Sequence, residues 1–374
     1  MAKRLAIASH VALIDGKPYD GIGNAIIEAM SAAGQTYYMV RHSMEGLLPS
    51  EVHEYSPGKQ KKVIKKLGVV RNPGPLRYIT ELISTVAYFT FRKKVDVYVG
   101  IDPLNACAAV FLKKLGRIDH CVFFTPDYSP RRFDNERLNK IYHAIDRYCV
   151  RHADEVWCVS TRIQEVRRNM GLPEEKNILV PNVPPAKFSD LRKGKRAKHT
   201  LTTNGIIGKQ LDFEGAIRAV ATLKDEFPEI AFDIVGNGPE EARLKELCKE
   251  LKVADRVQFL GRKPLKGSLE VIASSGVGLA LYTGEWGFNH YGDSTKCREF
   301  FFFGLPVIST DSHSTVPEIK QYKAGEIVET NVDQYVKAIR KIFKSYDAYT
   351  ASASELGDKY NDVHKRELLR ITQE

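Results

Sequence analysis

The chain has 374 residues, 43% hydrophobic and 27% charged, a length too great for one ordinary core and a composition typical of soluble globular proteins of two domains. Its formal net charge of +10 is uneven: residues 1–185 hold 27 Lys/Arg against 19 Asp/Glu, and residues 186–374 hold 29 against 27. No apolar run reaches the length of a transmembrane helix, no signal-peptide pattern follows the basic N-terminus and no nucleic-acid motif appears, which argues against a spanning, secreted or nucleic-acid-binding protein.

The first predicted element is a strand over Arg4–Ser9. It is followed by a loop and by Gly21-Ile22-Gly23-Asn24, which leads into an apolar-periodic helix ending at Ala33. Between Tyr55 and Thr80 lie seven basic residues (Lys59, Lys61, Lys62, Lys65, Lys66, Arg71, Arg77) and no acid. Such a run reads either as a solvated face or as a patch for an anionic membrane surface or a phosphate-bearing acceptor. The adjacent Ile79–Phe91 segment, rich in Tyr and Phe, favours the membrane; it is the best apolar run of the chain, short and interrupted by Glu81.

Apolar runs at Tyr37–Val40, Val95–Val99, His120–Phe124 and Glu155–Val159 alternate with helical patterns, which predicts a parallel sheet covered on both faces. The Pro-rich stretch Val180–Pro185 and the basic stretch Lys187–His199 mark a linker. A second alternating series follows: strands at 201–207, 231–235, 256–259 and 276–282, with helices over 214–226, 239–251 and 266–273 between them. The expectation is an α/β protein of two doubly wound Rossmann-like domains, 1–185 and 186–354, facing across a cleft, with a final helix over about 355–374 packing back on the first. Ligands of such sheets bind beyond the carboxyl ends of the strands, so the loops there carry the candidates. Six cysteines without a C-x-x-C pair read as reduced, mostly buried thiols of a cytosolic protein.

Three loops of the second half stand out. Gly236-Asn237-Gly238-Pro239 ends a strand and lets the backbone come close to a ligand or to a neighbouring element. Asn204-Gly205-Ile206-Ile207-Gly208-Lys209 ends another and offers a lysine to a diphosphate. In Tyr291–Thr310, after the strand that closes at Tyr282, Gly292–Thr295 reads as a loop with Asp293 or Ser294 as helix cap. Lys296, Glu299, Phe300 and Phe303 then recur at helical spacing. A helix N-terminus there seats phosphate, and Glu299, one turn in, is placed to accept hydrogen bonds from the vicinal hydroxyls of a ribose.

The ordered set Gly236-x-Gly238-Pro239, Val257-Gln-Phe-Leu-Gly261, Glu299-Phe-Phe-Phe-Phe-Gly304-Leu-Pro306-Val and Pro317-Glu318-Ile319 resembles the nucleotide-sugar half of GT-B glycosyltransferases of the glycogen-synthase-like, or group 1, family. Val180-Pro-Asn182 is similar to that family's hinge and Gly21–Gly23 to its N-terminal glycine loop. Asp293-Ser294-Thr295-Lys296 is also similar to the loop of xanthan-type glucuronosyltransferases.

The resemblance implies a nucleotide-sugar site of Gly21, Gly23, Gly205, Lys209, Gly236, Tyr282, Glu285, Ser294, Thr295, Lys296 and Glu299. Glu299 would meet the ribose, Lys296 and Thr295 the diphosphate, and Lys209 would be the phosphate-binding lysine. Two positions depart from the family: Ile206 stands where an arginine is frequent, and Tyr291 where an acid is frequent, with Glu285 as its substitute. In the loop Phe124–Pro130, Asp127 would be the general base that deprotonates an acceptor hydroxyl. Its other reading is a turn aspartate. His10, just after the first strand, is the second catalytic candidate, and its other reading is structural.

No D-x-D triplet or metal-spaced His/Cys group occurs, so no metal or other cofactor is expected beyond the donor itself. These features predict a cytoplasmic enzyme, held peripherally on the inner face of the membrane, that moves a sugar from a nucleotide-diphosphate donor to a glycan, lipid-linked or small-molecule hydroxyl. The alternatives are an epimerase or hydrolase of the same fold, and a non-catalytic nucleotide-sugar-binding protein.

Overall fold

The structure, a computed structural model, describes residues 3–14, 17–19, 23–32, 34–44, 46, 48–56, 62–67, 75–92, 94–284 and 290–373. The chain divides into two compact units, Met1–Pro181 with Val363–Glu374, and Asn182–Asp362.

The first unit is built on a sheet whose central strands are runs of Val, Ile, Ala and Phe, the composition of strands buried on both faces. Strands β1 (Leu5–Ile14), β3 (Tyr37–Ser43), β6 (Val95–Ile101), β7 (Ile118–Thr125), β8 (Glu155–Cys158) and β9 (Asn177–Leu179) are parallel, in the order β3-β1-β6-β7-β8-β9. Ile7, Val99, Val122, Phe124 and Trp157 fill its core. Helices α1 (Gly23–Ala32), α2 (Pro75–Thr90), α3 (Pro103–Lys114), α4 (Glu136–His152) and α5 (Thr161–Asn169) run between the strands. Because the strand order reverses beside β1, the carboxyl ends of β1 and β6 form the topological switch point, where sheets of this kind bind ligands.

Two expectations change here. β1 extends to Ile14, so His10 lies within the strand rather than after it. The sheet is also not purely parallel: β2 (Lys17–Tyr19) pairs antiparallel with β1, and β4 (Ser50–Tyr55) and β5 (Lys62–Leu67) extend the β3 edge as antiparallel strands. The basic run therefore contributes an edge strand, and exposed Lys66 on it discourages further strand pairing. Arg77, counted with that run, is buried; it donates to the Met44 carbonyl and pairs with Glu81. Lys59, Lys61 and Arg71 lie outside the described residues.

The second unit carries a six-stranded, all-parallel sheet in the order β12-β11-β10-β13-β14-β15. Its strands are β10 (Ala197–Asn204), β11 (Ala231–Val235), β12 (Val257–Phe259), β13 (Ser275–Ala280), β14 (Val307–Thr310) and β15 (Gly325–Val328). The helices are α6 (Phe213–Leu223), α7 (Glu241–Glu250), α8 (Leu265–Ser274), α9 (Thr295–Phe302), α10 (Val316–Tyr322), α11 (Val332–Lys344) and α12 (Tyr346–Gln373), the last running on into the first unit. Leu201, Ile217, Val220, Phe232 and Ile339 lie in one core cluster. Here the switch point falls between β10 and β13, so the loops after these strands, and α9, frame the ligand-binding end.

The four phenylalanines Phe300–Phe303 are all buried. Gly278 on β13 makes room for the first: a Cβ there would sit 2.3 Å from the Phe300 ring. All six cysteines are free and buried. Among the described residues no helix is long and apolar enough to cross a membrane.

Candidate nucleotide-sugar site

Ser294 caps α9: its hydroxyl accepts from the Cys297 amide at 3.3 Å and lies 3.0 Å from the Tyr282 hydroxyl. Asp293, the alternative cap, does something else. Its Oδ1 accepts from Arg298 Nε at 2.8 Å, and its Oδ2 accepts from the Asn182 amide at 2.8 Å. Arg298 also pairs with Glu318 at 2.8 Å and stacks 3.9 Å over the Tyr360 ring. This buried group clamps the loop before α9 to the helix behind it. The first turn of α9, with its unsatisfied N–H groups, is thereby held still.

Tyr282, Gly292, Asp293, Ser294, Thr295, Lys296 and His313 line a cavity of about 240 Å³ at this end. Lys296 donates to the Asn204 carbonyl at the end of β10, and Glu299 Oε2 accepts from Asn204 Nδ2 at 2.7 Å. Burial pushes the Glu299 carboxyl above its usual value, against the Asn204 hydrogen bond and the charge of Lys296. Burial likewise lowers the Lys296 ammonium, against the pull of Glu299. Both groups therefore hold their charge at a cost in the free protein. An anion and a pair of hydroxyl donors arriving here would favour the charged forms of both.

The structure brings Tyr282, Ser294, Thr295, Lys296 and Glu299 to the loop and first turn of α9, with Gly205 beside them: a Cβ on Gly205 would lie 3.3 Å from Lys296 Nζ. Gly236, at φ +146°, packs so close to the end of β10 that a Cβ would lie 1.8 Å from the Gly205 carbonyl oxygen, so its missing side chain serves the approach of a neighbouring element. Lys209 is exposed and lines a separate cavity of about 200 Å³ with Glu214, Glu240 and Arg243. Gly21 and Glu285 lie outside the described residues, and Gly23 begins α1 and is buried. Sequence reasoning passed over Asn204, which joins Lys296 to Glu299, and Arg298, hidden between the two residues it singled out.

In the first unit, Asp127 follows β7 in an exposed loop, its Oδ1 accepting from Arg132 at 2.7 Å. His10 lies at the switch point with Nδ1 2.6 Å from Asp102 and Nε2 3.0 Å from Glu81. Burial would push its pKa down, but the charges and hydrogen bonds of Asp102 and Glu81 outweigh it and raise it to about 9. Both ring nitrogens lie within hydrogen-bond reach of a carboxylate, which favours the charged form of the ring and disfavours its use as a base in the free protein. The contact to Asp102 also supports the structural reading of His10, because Asp102 is the N-cap of α3 and sits at φ +77°. Among the described residues no group of three or more His, Cys, Asp or Glu could hold a metal ion.

Two α/β units, one on a mostly parallel sheet and one on an all-parallel sheet, fit the GT-B class of fold. A family model of glycosyl transferase 4-like domains matches residues 32–183, and one of glycosyl transferases group 1 matches residues 195–357. The chain belongs to the group 1 glycosyltransferases.

It is 26% identical over 261 residues to a phosphatidylinositol N-acetylglucosaminyltransferase chain of Arabidopsis thaliana, covering 67% of this chain and 55% of the relative. It is 32% identical over 118 residues to the putative colanic acid biosynthesis glycosyltransferase WcaL of Escherichia coli, covering 31% of this chain and 29% of the relative. The chain thus spans about half or less of the length of these relatives. Among solved structures, Anabaena HepE in complex with UDP aligns over 100% of both chains with a TM-score of 0.64 at 13% identity. WaaG, a glycosyltransferase of lipopolysaccharide biosynthesis, aligns over 99% of both with a TM-score of 0.61 at 15% identity.

Proposed function

We propose that the chain transfers a glycosyl group from a nucleoside-diphosphate sugar to a hydroxyl of a glycan or lipid-linked acceptor, with the donor on the 182–362 unit and the acceptor on the other. The observation that carries this is the Lys296–Asn204–Glu299 group at the N-terminal end of α9, a cation and a carboxylate one turn apart beside free helix N–H groups. Lys296 and the first-turn amides meet the diphosphate, and Glu299 accepts from the ribose hydroxyls. Charge building on the departing nucleoside diphosphate is stabilised there by groups already in place.

Asp127 is the base that takes the acceptor proton as the oxygen attacks the anomeric carbon. The acceptor class rests on relatives named for phosphatidylinositol and for colanic acid biosynthesis. Six buried free thiols favour a reducing, cytoplasmic setting.

The test is calorimetric titration with UDP, GDP, ADP and TDP, followed by turnover of the matching nucleotide sugars. One nucleoside diphosphate should bind, and Glu299→Ala should remove that binding. Asp127→Asn should keep the affinity and lose transfer. A chain that binds none of the four, or a Glu299→Ala variant with full affinity, overturns the assignment. Release of free sugar or an epimer at the wild-type rate without any acceptor would replace transfer by hydrolysis or epimerisation.

A further inference from the structure

Helix α2 buries Tyr88 and Phe89, yet it is apolar on its outer face as well. Its two charged residues, Arg77 and Glu81, are buried and paired with each other, and Glu81 also meets His10. The face it turns outward is apolar: Leu76, Ile79 and Ile83 are 54%, 53% and 61% exposed, and Phe91, in the turn that follows, is 88% exposed. The spacing of the first three, i, i+3 and i+7, is that of a single helical ridge. A surface helix of a globular protein normally turns polar residues to solvent. Arg117, in the turn after α3, donates to the Phe89 and Arg92 carbonyls and so fastens that turn to the end of α2. The same stretch exposes Leu115, which adds to the apolar surface at that end.

The flanks of the ridge are cationic. From Tyr55 to Lys94 the sequence holds ten Lys/Arg and a single acid, the buried Glu81; Arg77 is buried with it, and Lys66, Arg92 and Lys94 are exposed. We infer that α2 is a membrane-docking face: the Leu76–Ile79–Ile83 ridge lies in the boundary between headgroups and acyl chains, and the flanking cations meet anionic lipid headgroups. Apolar area and basic flanks are the two parts of an interfacial helix, and each adds to the affinity for such a surface. A second copy of the chain fits less well, because a two-fold contact on this ridge would bring two like-charged flanks together.

The surface so defined differs from the Lys59–Arg77 run itself, since Arg77 faces inward. It also has a consequence for chemistry. The inner side of the same helix reaches His10 at the switch point of the first unit, so docking through α2 holds that crevice one helix diameter, roughly 10 Å, from the bilayer. The inference stands apart from the donor assignment, because none of its residues belongs to the Lys296–Glu299 site.

The test is co-sedimentation of the full chain with vesicles of phosphatidylcholine carrying about 30% phosphatidylglycerol, and with vesicles of phosphatidylcholine alone. The chain should bind the anionic vesicles. Ile79→Gln with Ile83→Gln should weaken that binding about tenfold or more, and Lys66→Gln or Arg92→Gln about fivefold each. The thermal unfolding midpoint and nucleotide affinity of the double isoleucine variant should match wild type. Three results would overturn the inference: no binding to either vesicle, unchanged binding by the isoleucine variant, or a stable dimer in sedimentation velocity that this variant dissociates.

Discussion

Replacing Glu299 by glutamine separates binding from folding at the donor site. The glutamine is isosteric, and its amide oxygen can still accept from Asn204 Nδ2, the 2.7 Å hydrogen bond of the wild type. What disappears is a buried negative charge that burial already disfavours. Folding stability should therefore change little near neutral pH, because relief of that buried charge is offset by the loss of its pull on the Lys296 ammonium. Affinity should move the other way. Two hydroxyls donating to a carboxylate form charge-assisted hydrogen bonds, and losing that assistance costs roughly 1.5–3 kcal/mol, or about 10- to 150-fold in Kd.

Calorimetry with the nucleoside diphosphate the wild type binds, paired with urea unfolding of the free protein, reads both quantities. A variant that binds as tightly as wild type refutes the ribose contact. A variant that loses affinity only because it has lost stability refutes the division between site and scaffold.

Three further outcomes follow from the geometry. Gly236→Ala should destabilise the second unit by about 3 kcal/mol or more, since its Cβ would lie 1.8 Å from the Gly205 carbonyl oxygen; a urea midpoint within error of wild type would contradict the close packing. Arg298→Met leaves Asp293 and Glu318 buried without their cation and should cost roughly 3–5 kcal/mol at pH 7. That gap should narrow as the pH falls, because burial holds both carboxyls above their usual values and protonation then relieves them. His10 contributes stability that is fully present below about 6.5 and is lost as the pH rises through about 9, because its folded-state pKa is the raised one. The loss is worth at most about 3 kcal/mol, and His10→Gln should flatten it in unfolding curves at pH 6.5 and 9.

Much of this molecule was legible in its residues. Short apolar runs alternating with helical periodicity specify parallel strands with covering helices, because each such strand must hide both faces. The polar-then-aromatic stretch from Tyr291 to Thr310 likewise announces a helix whose body is buried and whose N-terminal end is not. The family motifs concentrate on the same loops because backbone approach and helix N-termini are local properties, set by glycines and caps a few residues apart.

Other features depend on contacts between residues far apart in the chain. Whether His10 is a base depends on Asp102 and Glu81, 92 and 71 residues away, and only their convergence favours its charged form. Asn204 and Arg298 carry no motif of their own; they matter because β10 and α9 meet and because α10 brings Glu318 beneath them. The outward face of α2 is the clearest case. A helix with two charges and many apolar residues would be expected to bury its apolar stripe. The pull of His10 and the carbonyl of Met44 turn Arg77 and Glu81 inward, and the apolar ridge is left facing out.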